Sequence, residues 1–167
     1  IIVLDTRFER LSGDVANAAT WPFPVQLRVV RDVRPRDVIE GNPEDALTHF
    51  YEAIDDLVAA GVDGITTSCG FLAAVHPQLR QYSPVPIATS SLLQIPLALS
   101  LLPDERTVGV IVSDKAALTD LHFRNSGAPC DLPLGELPFD GPIRTHMRTN
   151  AAIADRVAQE HDVLDVV

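Results

Sequence analysis

The stretch from Val62 to Phe71 constrains the fold of this 167-residue chain more than any other. Its apolar start predicts a buried strand, and the small polar turn after it carries Cys69 before the apolar spacing becomes helical. A thiol at the carboxyl end of a strand, where a helix begins, is favoured as thiolate by backbone N–H groups and the helix dipole. Free cysteines are also among the most buried residue types. The position of Cys69 therefore suits a reactive thiolate and a packed core side chain about equally.

Charge and cysteine content exclude several classes of protein. Thirteen basic residues against 23 acidic ones give a net charge of -10, and no run of Lys or Arg could follow a phosphate backbone, so no nucleic acid partner is expected. No apolar stretch reaches the roughly 18 residues of a membrane span, and no basic segment precedes an apolar one at the start of this sequence. We therefore expect no membrane partner and a cytoplasmic location. Cys69 and Cys130 lack the spacing of a disulfide framework or zinc site, so no metal is expected.

Strands alternate with helices along the chain, which predicts parallel sheets joined by right-handed crossovers. Predicted strands precede Asp5, Cys69, Thr89 and Ser113, and the polar segment Pro103–Arg106 is the best candidate boundary. The fold class is therefore predicted as α/β, with two pseudo-symmetric halves, each a parallel sheet flanked by helices, and an active site in the cleft between them. Residues 1–103 form the first half and residues 104–167 an apparently incomplete second half. The first residue is Ile rather than Met, so we expect the chain to belong to a longer protein.

Polar side chains follow the predicted strands. Thr6 and Arg7 come after the first strand, Asn17 lies in the long loop beyond them, and Ser90 and Ser91 come after the strand that ends at residue 88. Ligand sites in open α/β sheets gather at the carboxyl ends of strands. The alternative interpretation of Arg7 and Asn17 is that they belong to a solvated connecting loop. The alternative interpretation of Ser90 and Ser91 is that they cap the following helix.

Several local features carry further expectations. Asn42, Pro43 and Gly61 predict the start and end of an amphipathic helix. Pro96 lies inside an apolar helical segment, which predicts a kink. His76 precedes a proline and is expected at the surface rather than as a base for Cys69. Residues 162–167 predict a final apolar strand.

Four segments resemble the aspartate/glutamate/hydantoin racemase superfamily, whose members work without pyridoxal phosphate. They read LDTRFERLSGDVANAATWPFPV, GITTSCGFLA, ATSSLLQIP and VGVIVSDKAALT. The resemblance implies a cofactor-independent isomerase acting on an amino acid or related small-molecule carboxylate, with Cys69 as the thiolate that removes the α-proton. It also implies substrate-binding positions at Thr6, Arg7, Asn17, Thr67, Ser68, Gly70, Phe71, Ser90 and Ser91. A homodimer is compatible with it, because dimers are common in that superfamily.

The chain departs from the family's pattern at two places. Gly70 and Phe71 stand where aspartate and glutamate racemases have Asn-Thr, and no second cysteine follows a late strand, since Cys130 comes too early. The first interpretation is a two-thiol racemase or epimerase whose second cysteine lies outside this sequence. The alternatives are a one-thiol isomerase or decarboxylase of the same superfamily, and a catalytically inactive protein that binds small carboxylates.

Overall fold

The computed structural model describes residues 1–7, 9–150, 156–164 and 166. The strands in these ranges are short and all pair in parallel. They are β1 (Ile2–Leu4), β2 (Arg28–Val30), β3 (Ile65–Thr66), β4 (Ile87–Ala88), β5 (Val110–Val112) and β6 (Leu134–Glu136). The helices are α1 (Pro35–Ile39), α2 (Leu47–Ala59), α3 (His76–Tyr82), α4 (Ile95–Leu101), α5 (Asp120–Asn125), α6 (Pro142–Thr149) and α7 (Arg156–Leu164).

The first four strands lie side by side in the order β2-β1-β3-β4. β1 pairs with β2 and β3 pairs with β4. A single bridge between Ile2 and Thr67 joins the two pairs, and the N–H of Ser68 donates to the carbonyl of Ile2 at 2.9 Å. The strand order therefore reverses between β1 and β3, which is where open parallel sheets form a crevice at their carboxyl ends. β5 and β6 form a separate pair.

Helix α2 packs against the first group of strands and ends where the sequence predicts, but it begins at Leu47, because residues 43–46 form a 3-10 turn instead of the first α-helical turn. The side chain of Asn42 accepts from the N–H of Glu44 at 3.2 Å and starts a 3-10 turn that leads into α2, and Gly61 follows the helix with φ 81°. Phe50 and Ile54 on its inner face are fully buried. Burying a side chain of this size stabilises a fold by roughly 1.5–3 kcal/mol, so α2 contributes strongly to holding β1 and β2 in place.

Two local predictions about helices and strands are wrong. Pro96 causes no interior kink, because a 3-10 turn from Ser91 to Gln94 comes first and leaves the proline in the first turn of α4, where its missing N–H is tolerated. The predicted strand over residues 162–167 is replaced in part by α7, which continues to Leu164; positions 165 and 167 lie outside the described residues. The short apolar run there fits either structure by periodicity alone.

Helix α6 bridges the second pair of strands and the end of β1. Arg144, near its start, contacts Asp114 at 3.2 Å and Glu136 at 3.1 Å. Asn150 ends the helix in a left-handed conformation, and its side chain bonds to the backbone at positions 5 and 7. The side chain of Met147 is thereby held against the carboxyl end of the sheet.

The larger organisation stays a prediction at two points. The described strands form one group of four and one pair. The two pseudo-symmetric halves, with a boundary after residue 103, stay a prediction. The homodimer also stays a prediction. Within the described ranges, every helix is too short or too polar to traverse a lipid bilayer.

Candidate active site around Cys69

A cavity of about 230 Å³ lies at the carboxyl ends of β1 and β3, where the strand order reverses. The turn that carries Cys69 forms its floor, and residues after β1, β4 and β5 form its walls. Its polar lining consists of Thr6, Arg10, Ser68, Cys69, Ser90, Ser91 and Ser113. Its apolar lining includes Leu4, Ile39, Phe71, Leu92, Val110, Ile111, Val112, Leu118, Leu137 and Met147.

The thiol of Cys69 is buried, and its protonation is set by opposing effects. Burial raises the pKa of the Cys69 thiol to about 11, because a thiolate loses its hydration there. The backbone N–H groups of Phe71 and Leu72 and the positive charge of Arg10 all lower the pKa, but by less. Cys69 in the unliganded protein is therefore a strong base held mostly as the thiol at neutral pH.

Arg10 is the only charged side chain among the described residues that line the cavity. Its Nη2 donates to Oγ1 of Thr6 at 3.0 Å, and its Nη1 lies 3.1 Å from the carboxylate of Asp14. These contacts hold the guanidinium beside the thiol. A guanidinium is the side chain best suited to bind a carboxylate, since its donors match the two carboxylate oxygens. The sequence pattern did not single out Arg10.

Seven of the predicted site residues line the cavity and three do not. Thr6, Ser68, Cys69, Gly70, Phe71, Ser90 and Ser91 lie on its wall. The side chain of Arg7 is exposed, because the chain turns away after Thr6. Asn17 instead stabilises the loop, since its Nδ2 donates to the carbonyl of Arg10 at 2.7 Å and its Oδ1 accepts from Ala19.

Thr67 is the third predicted residue that does not line the cavity. Its hydroxyl is buried and lies 2.8 Å from the carbonyl of Thr89 and 3.2 Å from that of Cys69. It ties the end of β3 to the end of β4 and holds the backbone of the cysteine turn. These contacts fix the turn that carries Cys69.

His76 is buried, so its predicted surface location is wrong. Its Nδ1 lies 3.1 Å from Oγ1 of Thr89, and burial lowers its pKa. Pro77 falls in the first turn of α3, where it is compatible with a helix. His76 does not line the cavity.

Residues after position 103 supply a wall whose members the sequence pattern did not name. Residues of β5, together with Leu118, Leu137 and Met147, cover the cavity from that side. No signal local to the sequence marks these apolar residues as site residues. Among the residues that the structure describes, no group of three or more His, Cys, Asp or Glu side chains is placed to hold a metal ion.

Comparison with known proteins identifies relatives of a different activity from the one expected. The chain is 25% identical over 124 residues to a dimethylsulfoniopropionate lyase of Durusdinium sp. clade D, covering 73% of this chain and 41% of the relative. It is 28% identical over 123 residues to dimethylsulfoniopropionate lyase 3 of Emiliania huxleyi, covering 73% and 32%. It is 32% identical over 97 residues to dimethylsulfoniopropionate lyase 7 of the same organism, covering 58% and 28%.

The chain thus spans less than half the length of these curated relatives. No protein-family model matches it, and no solved structure does. Because the relatives are named as lyases, the assignment to the racemase superfamily and the isomerase and amino-acid racemase activities inferred from it are wrong. The four segments that carry the resemblance contribute residues to a cavity lined by the thiol of Cys69 and the guanidinium of Arg10. Several different reactions can begin with proton removal at a site of this kind. The similarity of this chain is to dimethylsulfoniopropionate lyases.

Proposed function

We propose that this chain carries the active-site cavity of a lyase that releases dimethyl sulfide from dimethylsulfoniopropionate or a closely similar small sulfonium carboxylate. The observation that carries the proposal is a buried thiol and a single guanidinium in one cavity, in a chain whose relatives bear the name of that activity. The cavity volume of about 230 Å³ suits a substrate of this size.

The proposed reaction is an elimination with Cys69 as the base. The thiolate takes the proton from the carbon next to the carboxylate, and the C–H electron pair becomes the new carbon–carbon double bond. The bond from the neighbouring carbon to sulfur breaks, and its electron pair leaves with neutral dimethyl sulfide. Acrylate remains, and the Cys69 thiol returns its proton to solvent. Arg10 binds the carboxylate, on which negative charge grows as the proton leaves.

An elimination also explains how one thiol can suffice. A racemase must return a proton to the opposite face of the same carbon, which calls for a second acid. In an elimination the departing sulfide replaces that step, so no second thiol is needed. Cys130 is exposed and does not line the cavity.

The distribution of charge in the cavity supports one orientation of the substrate. The carboxylate lies at Arg10, and the sulfonium lies away from that positive charge, on the apolar wall. Phe71 is the only aromatic side chain among the described lining residues. An aromatic face attracts a cation by about 0.5–2 kcal/mol, depending on how far both are desolvated. Phe71 is therefore the contact proposed for the sulfonium methyl groups.

The direct test is to incubate the purified protein with dimethylsulfoniopropionate. Dimethyl sulfide is measured by headspace gas chromatography and acrylate by proton NMR, and the two products are expected in equal amounts. Release no faster than in a protein-free blank, with the protein shown to be folded by circular dichroism, would reject this function.

The pH dependence follows from the raised pKa of the thiol. Because the pKa of Cys69 lies at about 11, the thiolate fraction of the free enzyme grows about tenfold per pH unit below that value. We expect kcat/KM for dimethyl sulfide release to rise with a slope close to one between about pH 7 and pH 10. A Cys69→Ser variant supplies the blank at each pH. A profile that is flat across this range would contradict a base with a raised pKa.

The cytoplasmic location is part of the same proposal. Its support is that both cysteines are free, one buried and one exposed, as is usual in a reducing compartment.

A further inference from the structure

Ser68 lines the cavity, and its hydroxyl is buried without a hydrogen-bond partner among the described residues. Among the described residues, its Oγ contacts no donor or acceptor within bonding distance, although Ser68 immediately precedes Cys69. Two other hydroxyls of the cavity are engaged. Oγ1 of Thr6 accepts from Arg10, and Oγ of Ser90 accepts from the N–H of Leu92. Ser68 therefore differs from these two neighbours in having its hydroxyl unused.

The backbone on both sides of Ser68 is firmly held. Its own N–H donates to the carbonyl of Ile2 at 2.9 Å, and the preceding Thr67 is bonded to Thr89 through its side chain. These contacts fix the backbone of Ser68, which is one of the residues that line the cavity. A buried hydroxyl that makes no bond lowers stability, and nearly all buried polar groups in proteins are paired. A hydroxyl kept in this state beside a reactive thiol is suited to pair with a ligand.

We propose that Ser68 is a further catalytic residue whose hydroxyl donates a hydrogen bond to a carboxylate oxygen of the substrate. The proposal rests on the proposed lyase function and deepens it. As Cys69 removes the α-proton, the carboxylate takes on enediolate character, and a second negative charge grows on its oxygens. A preorganised donor then gains strength in the transition state relative to the bound substrate. Arg10 supplies the positive charge, and Ser68 supplies a directed donor.

Ser126 provides a matched control within the same chain. Its hydroxyl is also buried and without a partner among the described residues, but Ser126 ends α5 and does not line the cavity. Ser68→Ala and Ser126→Ala therefore remove the same group from the same kind of environment, one at the proposed site and one away from it. Both are expected to leave the melting temperature unchanged or slightly higher, since neither breaks a hydrogen bond within the protein.

The kinetic expectations for the two variants differ. Ser68→Ala should lower kcat for dimethyl sulfide release by about 30- to 300-fold with a smaller change in KM, as found for other donors to a developing oxyanion. Ser126→Ala should leave both constants as in the wild type. If kcat of Ser68→Ala lies within about twofold of the wild-type value, the proposal is overturned, because losing a hydrogen bond should change kcat by more than that. The proposal is also overturned if Ser68→Ala loses activity and melting temperature together, because the hydroxyl would then have a structural role.

A binding measurement separates this proposal from the lyase function itself. Propionate carries the carboxylate but no leaving group, and its dissociation constant can be measured by NMR titration. Loss of one hydrogen bond should weaken its binding about 3- to 10-fold in Ser68→Ala and not in Ser126→Ala. If wild type releases no dimethyl sulfide yet shows this difference, the lyase function fails and the carboxylate contact of Ser68 stands. If wild type is an active lyase and neither kcat nor propionate binding responds to Ser68→Ala, only the role of Ser68 fails.

Discussion

Replacing Cys69 with serine is expected to lower kcat/KM for dimethyl sulfide release by about a thousandfold or more. Serine preserves the size of the side chain, but its hydroxyl does not ionise at any pH at which the protein is stable. The base would therefore be lost while the cavity keeps its shape. The measurement is the initial rate of dimethyl sulfide release by gas chromatography, at a pH near 9 where the wild-type thiolate is more abundant than at neutrality.

Cys130→Ser is the matched control for this substitution. Cys130 is exposed, and its Sγ lies 3.9 Å from the carbonyl of Asp120, away from the cavity. The Cys130→Ser variant should retain the wild-type rate of dimethyl sulfide release. Propionate binding by Cys69→Ser should also persist, which separates loss of the base from loss of the fold. A Cys69→Ser enzyme that keeps a tenth or more of wild-type activity would assign the base to another group.

Replacing Arg10 with glutamine is expected to weaken carboxylate binding by about 10- to 100-fold, because hydrogen bonds to a charged group contribute more than neutral ones. The effect should appear in the dissociation constant of propionate and in KM, with a further loss in kcat as the developing charge loses its counterion. The stability cost should be small. The Arg10–Asp14 pair is partly exposed, at 19% and 29% of the side chains, and such pairs contribute little.

Arg7→Gln provides the control for Arg10→Gln. Arg7 lies three positions earlier on the same loop, carries the same charge and has an exposed side chain outside the cavity. Its replacement should leave propionate binding and KM unchanged. If Arg7→Gln weakened binding and Arg10→Gln did not, the carboxylate would bind at the surface beside the end of β1, and the cavity would not be the site.

Local signals in the sequence predicted the parts of this site that depend on one segment. A strand that leads into a cysteine turn is visible in the change of apolar spacing after Ser68, and the structure has β3, the turn and a 3-10 helix there in that order. Ser90 was recognised both as a cap and as a site residue, and it caps the turn that begins at Ser91 while lining the cavity. Each of these features is fixed by residues a few positions apart.

Features that depend on distant parts of the chain were missed. Arg7 was predicted as a substrate-binding residue, but Arg10 lines the cavity and Arg7 faces solvent. His76 looked exposed because a proline follows it, but the packing of α3 buries it beside Thr89. The apolar wall from β5 and α6 became part of the site only because those elements lie across from Cys69.

The sequence by itself determined that Cys69 lies in a turn after a strand, that hydroxyl-rich turns follow neighbouring strands, and that Asn42 and Gly61 bound the helical segment that contains α2. These properties result from hydrophobic periodicity and capping, which act over a few residues. Only the tertiary structure decided that Arg10 faces the thiol, that Ser68 has no partner among the described residues and that burial raises the pKa of Cys69 above its usual range. Charge, burial and hydrogen bonding at a site are set by which distant segments meet there, and a linear pattern does not contain that information.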